Sequence, residues 1–124
     1  MTMNNTVSST NIQVKERTES YLDRSIYLQV IVLDKQMICY CGDDGRLGSL
    51  STAVKTRYSN TAAATTLLSG GVDDTSESLA KRLASKYDWQ FFVSMNLPTN
   101  DTNLTVFAER KLGAFVKEIA QSSS

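Results

Sequence analysis

The sequence predicts an α+β fold: a mainly antiparallel sheet of five or six strands with two helices packed on it. Three observations predict it. Apolar and polar residues alternate with a period of two through most of residues 11–68 and again through 89–97. Two other stretches, about 74–87 and 102–120, place apolar residues at helical spacing. Glycine, asparagine and aspartate gather between these stretches, where the chain must turn. A chain of 124 residues is one domain, long enough to bury a real core. Residues 1–10 are polar and read as a disordered tail, leaving 11–121 as a single domain without repeats or a linker.

In chain order, residues 11–17 alternate Ile12 and Val14 against Gln13 and Lys15, as a short edge strand does. Residues 18–25 read as a polar connection, with Tyr21 and Leu22 in a brief helical turn. Ile26 to Leu33 is dense in β-branched residues, Asp34-Lys35 falls where a tight turn belongs, and Met37 to Cys41 returns, which predicts a β-hairpin. Ile26, Leu28, Val30 and Val32 share one face. Tyr27, Ile31 and Leu33 make the other face apolar too, with Gln29 the exception, so the strand is expected to be covered on both faces. Cys39 and Cys41 point the same way from the return strand. A disulfide between strand residues two apart has poor geometry, so both are expected as buried thiols.

The GDDGRLG segment at 42–48 lacks the Lys-Ser/Thr of a phosphate loop, and Asp43-Asp44 would repel phosphate; it reads as an inter-strand loop. Residues 47–58 alternate Leu50, Thr52, Val54 and Thr56 against Ser49, Ser51, Ala53 and Lys55, which predicts a strand with the first set on its apolar face. Residues 59–68 give a small-residue strand through Ala62, Ala64, Thr66 and Leu68, or an extended loop.

Gly70-Gly71 interrupts regular structure. Asp74 and Glu77 have the spacing of a capping box, and Leu79, Ala80, Leu83 and Ala84 form a narrow apolar stripe behind it. Lys81, Arg82 and Lys86 take the wetter side, and Asp88 ends the helix. The period then drops to two: Trp89, Phe91, Val93, Met95 and Leu97 face one way, Gln90, Phe92, Ser94 and Asn96 the other. Pro98 closes that strand. Asp101 caps the last helix, whose core side carries Leu104, Phe107, Ala108, Leu112, Phe115, Val116 and Ile119. Gly113 weakens its middle and marks either a close helix–sheet approach or nothing.

Several kinds of chemistry are disfavoured. Thirteen basic residues balance thirteen acidic ones, which argues against phosphate-driven nucleic-acid binding and against a basic membrane-surface helix. No apolar run is long enough to span a bilayer, and MTMNNTVSST lacks the apolar region of a secretion signal. On that reading the sequons at Asn4, Asn100 and Asn103 are chance matches. The chain has no histidine, so the usual near-neutral base and the commonest metal ligand are missing. Asp43-Asp44 and Asp73-Asp74 lie in turns, where adjacent carboxylates do not converge on one substrate. No enzyme, metal or cofactor is expected.

The helix LAKRLASK, the strand FVSMNL, the preceding LLSG turn with Arg57-Tyr58 before it, the Asn-Asp loop and the terminal FAERKL helix together resemble the proteasome assembly chaperone 4 family, over roughly residues 25–118. The resemblance implies an ATP-independent, cytoplasmic or also nuclear chaperone. Such a protein pairs with a related small subunit, proteasome assembly chaperone 3, and binds proteasome α-subunits while the α-ring assembles. The alternatives are a generic α+β interaction module of another cytosolic complex and a small-molecule binder.

With only two helices, both are needed on one sheet face, which leaves the other partly bare. The residues expected at a partner interface are therefore Tyr27, Gln29, Ile31 and Leu33, with Arg82 added from the cationic helix face.

Overall fold

A computed structural model describes residues 12–43, 48–56, 62–68, 75–97 and 101–122. The elements run β1 (Gln13–Tyr21), β2 (Arg24–Leu33), β3 (Gln36–Gly42), β4 (Leu50–Val54), β5 (Ala63–Leu68), α1 (Thr75–Tyr87), β6 (Gln90–Asn96) and α2 (Thr102–Ser122). One six-stranded sheet has the order β1-β2-β3-β6-β4-β5. All neighbours are antiparallel except β3 and β6. The parallel pair follows from α1, which carries the chain back so that β6 inserts between β3 and β4.

Both helices lie on one face. α1 packs on β4, β5 and β6, and α2 on β1, β2 and β3. The core joins Ile26, Leu28, Val30 and Val32 of β2, Met37, Cys39 and Cys41 of β3, and Phe91, Val93 and Met95 of β6 to the helix stripes. Those stripes are the expected ones: Leu79, Ala80, Leu83 and Ala84 on α1, and Leu104, Ala108, Leu112, Phe115, Val116 and Ile119 on α2. Phe107 packs at the edge of the core, with its ring 4.9 Å from that of Tyr21.

The helix ends are chemically specified. Asp101 Oδ1 accepts from Leu104 N at 3.0 Å, as an N-cap should. Asp88 takes φ 60° just past α1, and its N–H reaches back to Ala84 O at 3.0 Å, an αL stop. Asp73, Asp74 and Gly70-Gly71 lie outside the described residues, as do the 1–10 tail, Arg57-Tyr58, Pro98 and the sequon residues Asn4 and Asn100. Glu77 accepts from Thr66 Oγ1 at 2.9 Å and so ties α1 to β5, while the Asp74 end of its expected capping box lies outside the described residues.

The structure corrects three expectations and decides a fourth that was open. First, the polar stretch 18–25 is not a connection: β1 continues to Tyr21, and a two-residue turn at Leu22-Asp23, with Leu22 at φ 57°, leads straight into β2. Polar β1 is stable there because its core-side groups meet charged groups of α2. Arg17 makes two 2.9 Å bonds to the Glu118 carboxylate, with its guanidinium 4.5 Å above the Phe115 ring. Those bonds hold Arg17 above and Glu118 below their usual ranges.

Second, the faces of β4 are exchanged. Ser51 and Ala53 are buried, while Leu50 and Thr52 are half-buried and Val54 is exposed. Volume outweighs hydrophobicity at this point. α1 lays Ser76, Ala80 and Ala84 inward, and small residues on both sides let it come close; Ser51 Oγ is in reach of Thr66 Oγ1 at 3.4 Å.

Third, β2 is covered on one face only: Tyr27, Gln29, Ile31 and Leu33 are half-buried, with neither helix over them.

Of the two readings of Gly113, the structure favours the second: the residue marks no close approach. A Cβ built there meets nothing within 4 Å. Gly113→Ala is therefore expected to stabilise the fold by about 1 kcal/mol through helix propensity. A urea midpoint at or below that of the parent would show that the position is constrained after all.

Candidate protein-interaction surface

The uncovered face of the sheet has an order that only the strand register reveals. Val14 pairs with Ile31, Ile31 with Ile38, Ile38 with Phe92, Phe92 with Thr52, and Thr52 with Thr65. This line crosses all six strands, and its first four members are apolar. Val14 is 54% exposed, and Ile31, Ile38 and Phe92 are half-buried.

Rows that are polar except for Leu33 flank it. On one side Glu16 pairs with Gln29 and Gln29 with Tyr40. On the other, Leu33 pairs with Gln36 and Gln36 with Gln90. The polar groups hold one another in place. Tyr27 Oη donates to Glu16 Oε2 at 2.7 Å, and Gln29 Nε2 bridges Glu16 Oε2 at 3.3 Å and Tyr27 Oη at 3.2 Å. The bond to Glu16, assisted by desolvation, raises the Tyr27 hydroxyl above its ordinary pKa. Gln36 Nε2 reaches Gln90 Oε1 at 3.4 Å, and Gln90 Nε2 reaches Thr52 Oγ1 at 3.2 Å.

Gly42 pairs with Tyr27 at the end of β3. A Cβ there would lie 2.5 Å from Tyr40 Oη, so the Tyr40 ring lies over the bare glycine backbone. The Tyr27 and Tyr40 rings are 6.2 Å apart and tilted.

An apolar stripe with ordered polar flanks is the anatomy of an interface core with its rim. Six strands about 4.8 Å apart and about 20 Å long give a face on the order of 600 Å² before side-chain relief. A standard-size interface takes about 800 Å² from each partner, so the face has the right scale for one.

Of the residues expected at the interface, the structure brings Tyr27, Gln29, Ile31 and Leu33 together on this face. Arg82 is not with them. It projects from α1 on the opposite side of the sheet and pairs with Glu109 of α2 at 2.6 Å. Val14, Ile38 and Phe92 complete the apolar row and escape the sequence reading, because their alignment depends on pairing between distant strands. The available signal was alternation: Ile38 is out of phase with Cys39, and Phe92 with Phe91.

The thiols lie inward. Cys39 and Cys41 are buried and free, and burial pushes each up to about 12, with Asp43 adding to the shift at Cys41. Iodoacetamide at pH 8.5 is therefore expected to label native protein only at the rate of unfolding, since the thiolate is the reactive form. Labelling as fast as in denatured chain would contradict the burial. Among the described residues no group of three His, Cys, Asp or Glu could hold a metal ion, and no helix is long and apolar enough to cross a membrane.

A family profile described as proteasome assembly chaperone 4 matches residues 25–97. Proteasome assembly chaperone 4 of Homo sapiens is 32% identical over 90 residues, covering 73% of this chain and 73% of the relative. The Mus musculus protein of the same name gives the same identity and coverage. Among solved structures, a chain of a novel chaperone complex for yeast 20S proteasome assembly superposes with TM-score 0.66 over 90% of this chain and 96% of that one. At 14% identity this last likeness speaks for the fold alone. The matched segment begins at β2 and ends just past β6, so it spans the strands that build most of the uncovered face. The chain belongs to the proteasome assembly chaperone 4 family, a family of chaperones and not of enzymes.

Proposed function

We propose that this chain is one half of a heterodimer: it pairs through its uncovered sheet face with a proteasome assembly chaperone 3-like subunit, and the pair binds proteasome α-subunits while the α-ring forms. The observation that carries the reading is the row Val14, Ile31, Ile38 and Phe92, an apolar stripe that the two helices leave outside the core. Covering it removes apolar surface from water, at roughly 25 cal/mol per Å².

The mechanism is contact alone. The chaperone stabilises one arrangement of α-subunits by binding it and shifts assembly by mass action, a process that needs no nucleotide and no reacting group. The cytoplasm, with access to the nucleus, is the proposed place of action, in keeping with two buried free thiols.

Co-purification from cells followed by mass spectrometry tests the reading. Recovery of a second small chaperone together with α-subunits supports it. Recovery of neither, from cells that contain both, would place the chain in another complex.

A further inference from the structure

We propose that the groove between α1 and α2 is a second docking site, on the far side of the sheet, for an acidic helical segment of a partner protein. The helices are bridged where Arg82 Nη2 meets Glu109 Oε1. To one side of that bridge an open groove of about 340 Å³ runs past Leu83, Lys86, Tyr87, Gly113 and Lys117. Its geometry comes from sequence spacing. Glu109, Gly113 and Lys117 are four apart on α2, and Arg82 and Lys86 four apart on α1, so each set forms a stripe along its helix. Gly113 stands in the middle of the α2 stripe with no atom within 4 Å of the place its side chain would take. The missing side chain leaves the groove open at that point.

The charge is lopsided. Arg82, Lys86 and Lys117 line this groove, and Lys81 lines the hollow on the other side of the bridge; against these four cations stands one carboxylate, Glu109, already engaged by Arg82. Among the described residues no acid pairs with Lys81, Lys86 or Lys117. The chain as a whole is neutral, so the cations are concentrated locally and not a general property of its surface.

Carboxylates four apart on a short helix would reach Lys86 on one wall and Lys117 on the other, and a leucine or alanine between them would rest on Gly113 and Tyr87. From Glu109 to Lys117 the groove spans about 12 Å, or roughly two helical turns. Nucleic acid fits less well: the chain as a whole carries no basic excess to meet a run of phosphates, and among the described lining residues Tyr87 is the single aromatic ring, already covered by Lys86. Because groove and sheet face lie on opposite sides, both can be occupied at once, and the inference stands whether or not the sheet face pairs as proposed.

The test is fluorescence anisotropy on the full chain, with a fluorescein-labelled two-turn amphipathic peptide carrying glutamates four apart opposite leucine and alanine. The expected result is saturable micromolar binding, weakened at least tenfold by Lys86→Glu with Lys117→Glu, weakened similarly by Gly113→Leu, and lost at high salt. Thermal melting shows that the variants stay folded, and light scattering reads sheet-face association separately. If Gly113→Leu does not fold, the charge-reversed variant decides alone. The proposal is overturned if the peptide does not bind, if it binds the charge-reversed variant equally well, if a lysine version binds as tightly, or if a single-stranded oligonucleotide of equal charge binds better.

Discussion

Replacing Phe91 with alanine is expected to destabilise the fold by about 3–5 kcal/mol, a large part of what a domain of this size possesses. Phe91 is fully buried in β6, the strand that joins the two halves of the sheet. It pairs with Met37 of β3 on one side and Ala53 of β4 on the other, and the Tyr87 ring at the end of α1 lies 6.1 Å away. Removing the ring opens a cavity among neighbours fixed by the sheet and by both helices, so little collapse is available to soften the loss. Urea unfolding measures it, with an unchanged slope confirming that the variant still unfolds in one step. A loss under about 1 kcal/mol would mean that the β3, β6 and β4 layer repacks freely, against the rigidity argued here.

Ile31→Asp is expected to act on the complex instead of the fold. In the isolated chain Ile31 is half-buried, midway between Val14 and Ile38, and an aspartate there keeps access to water. The cost to the monomer is then about 1 kcal/mol, the range of strand preference. Under a partner the same carboxylate would be desolvated in an apolar row without a counter-ion, which costs several kcal/mol. At about 1.4 kcal/mol per decade, the dissociation constant should rise at least a hundredfold. Titration of the co-refolded pair, beside a melt of each chain alone, separates the two effects. Equal losses in both would place Ile31 in the core.

Much of the fold was legible in the sequence where one kind of periodicity spoke alone. The stripes of α1 and α2, the buried side of β2 and the alternation of Phe91, Val93 and Met95 all appear as expected. So does the two-residue turn at Asp34-Lys35, where Lys35 takes φ 58°. The failures have physical causes. The end of β1, from Thr18 to Tyr21, looked like a connection because it is held by Glu19 to Lys111 and Tyr21 to Phe107, partners far along the chain that no local pattern reveals. β4 was assigned the wrong face because hydrophobicity ranks Leu50 and Val54 above Ser51 and Ala53, whereas the close packing of α1 selects for small volume.

The candidate surface was half legible. Tyr27, Gln29, Ile31 and Leu33 follow from counting helices against faces. Val14, Ile38 and Phe92 required the register, and with it the parallel pairing of β3 and β6 that strand patterns do not encode. Arg82 was grouped with them on charge alone. Its placement across the sheet shows that a cationic helix face and an apolar strand face are separate surfaces in this protein.

The most direct test of the account is light scattering of the purified chain, alone and mixed with its proteasome assembly chaperone 3-like partner, across micromolar concentrations. The account predicts that the chain alone self-associates, and that the mixture gives a monodisperse one-to-one heterodimer which Ile31→Asp dissolves. A chain that stays monomeric on its own and whose mass is unchanged by the partner would contradict it.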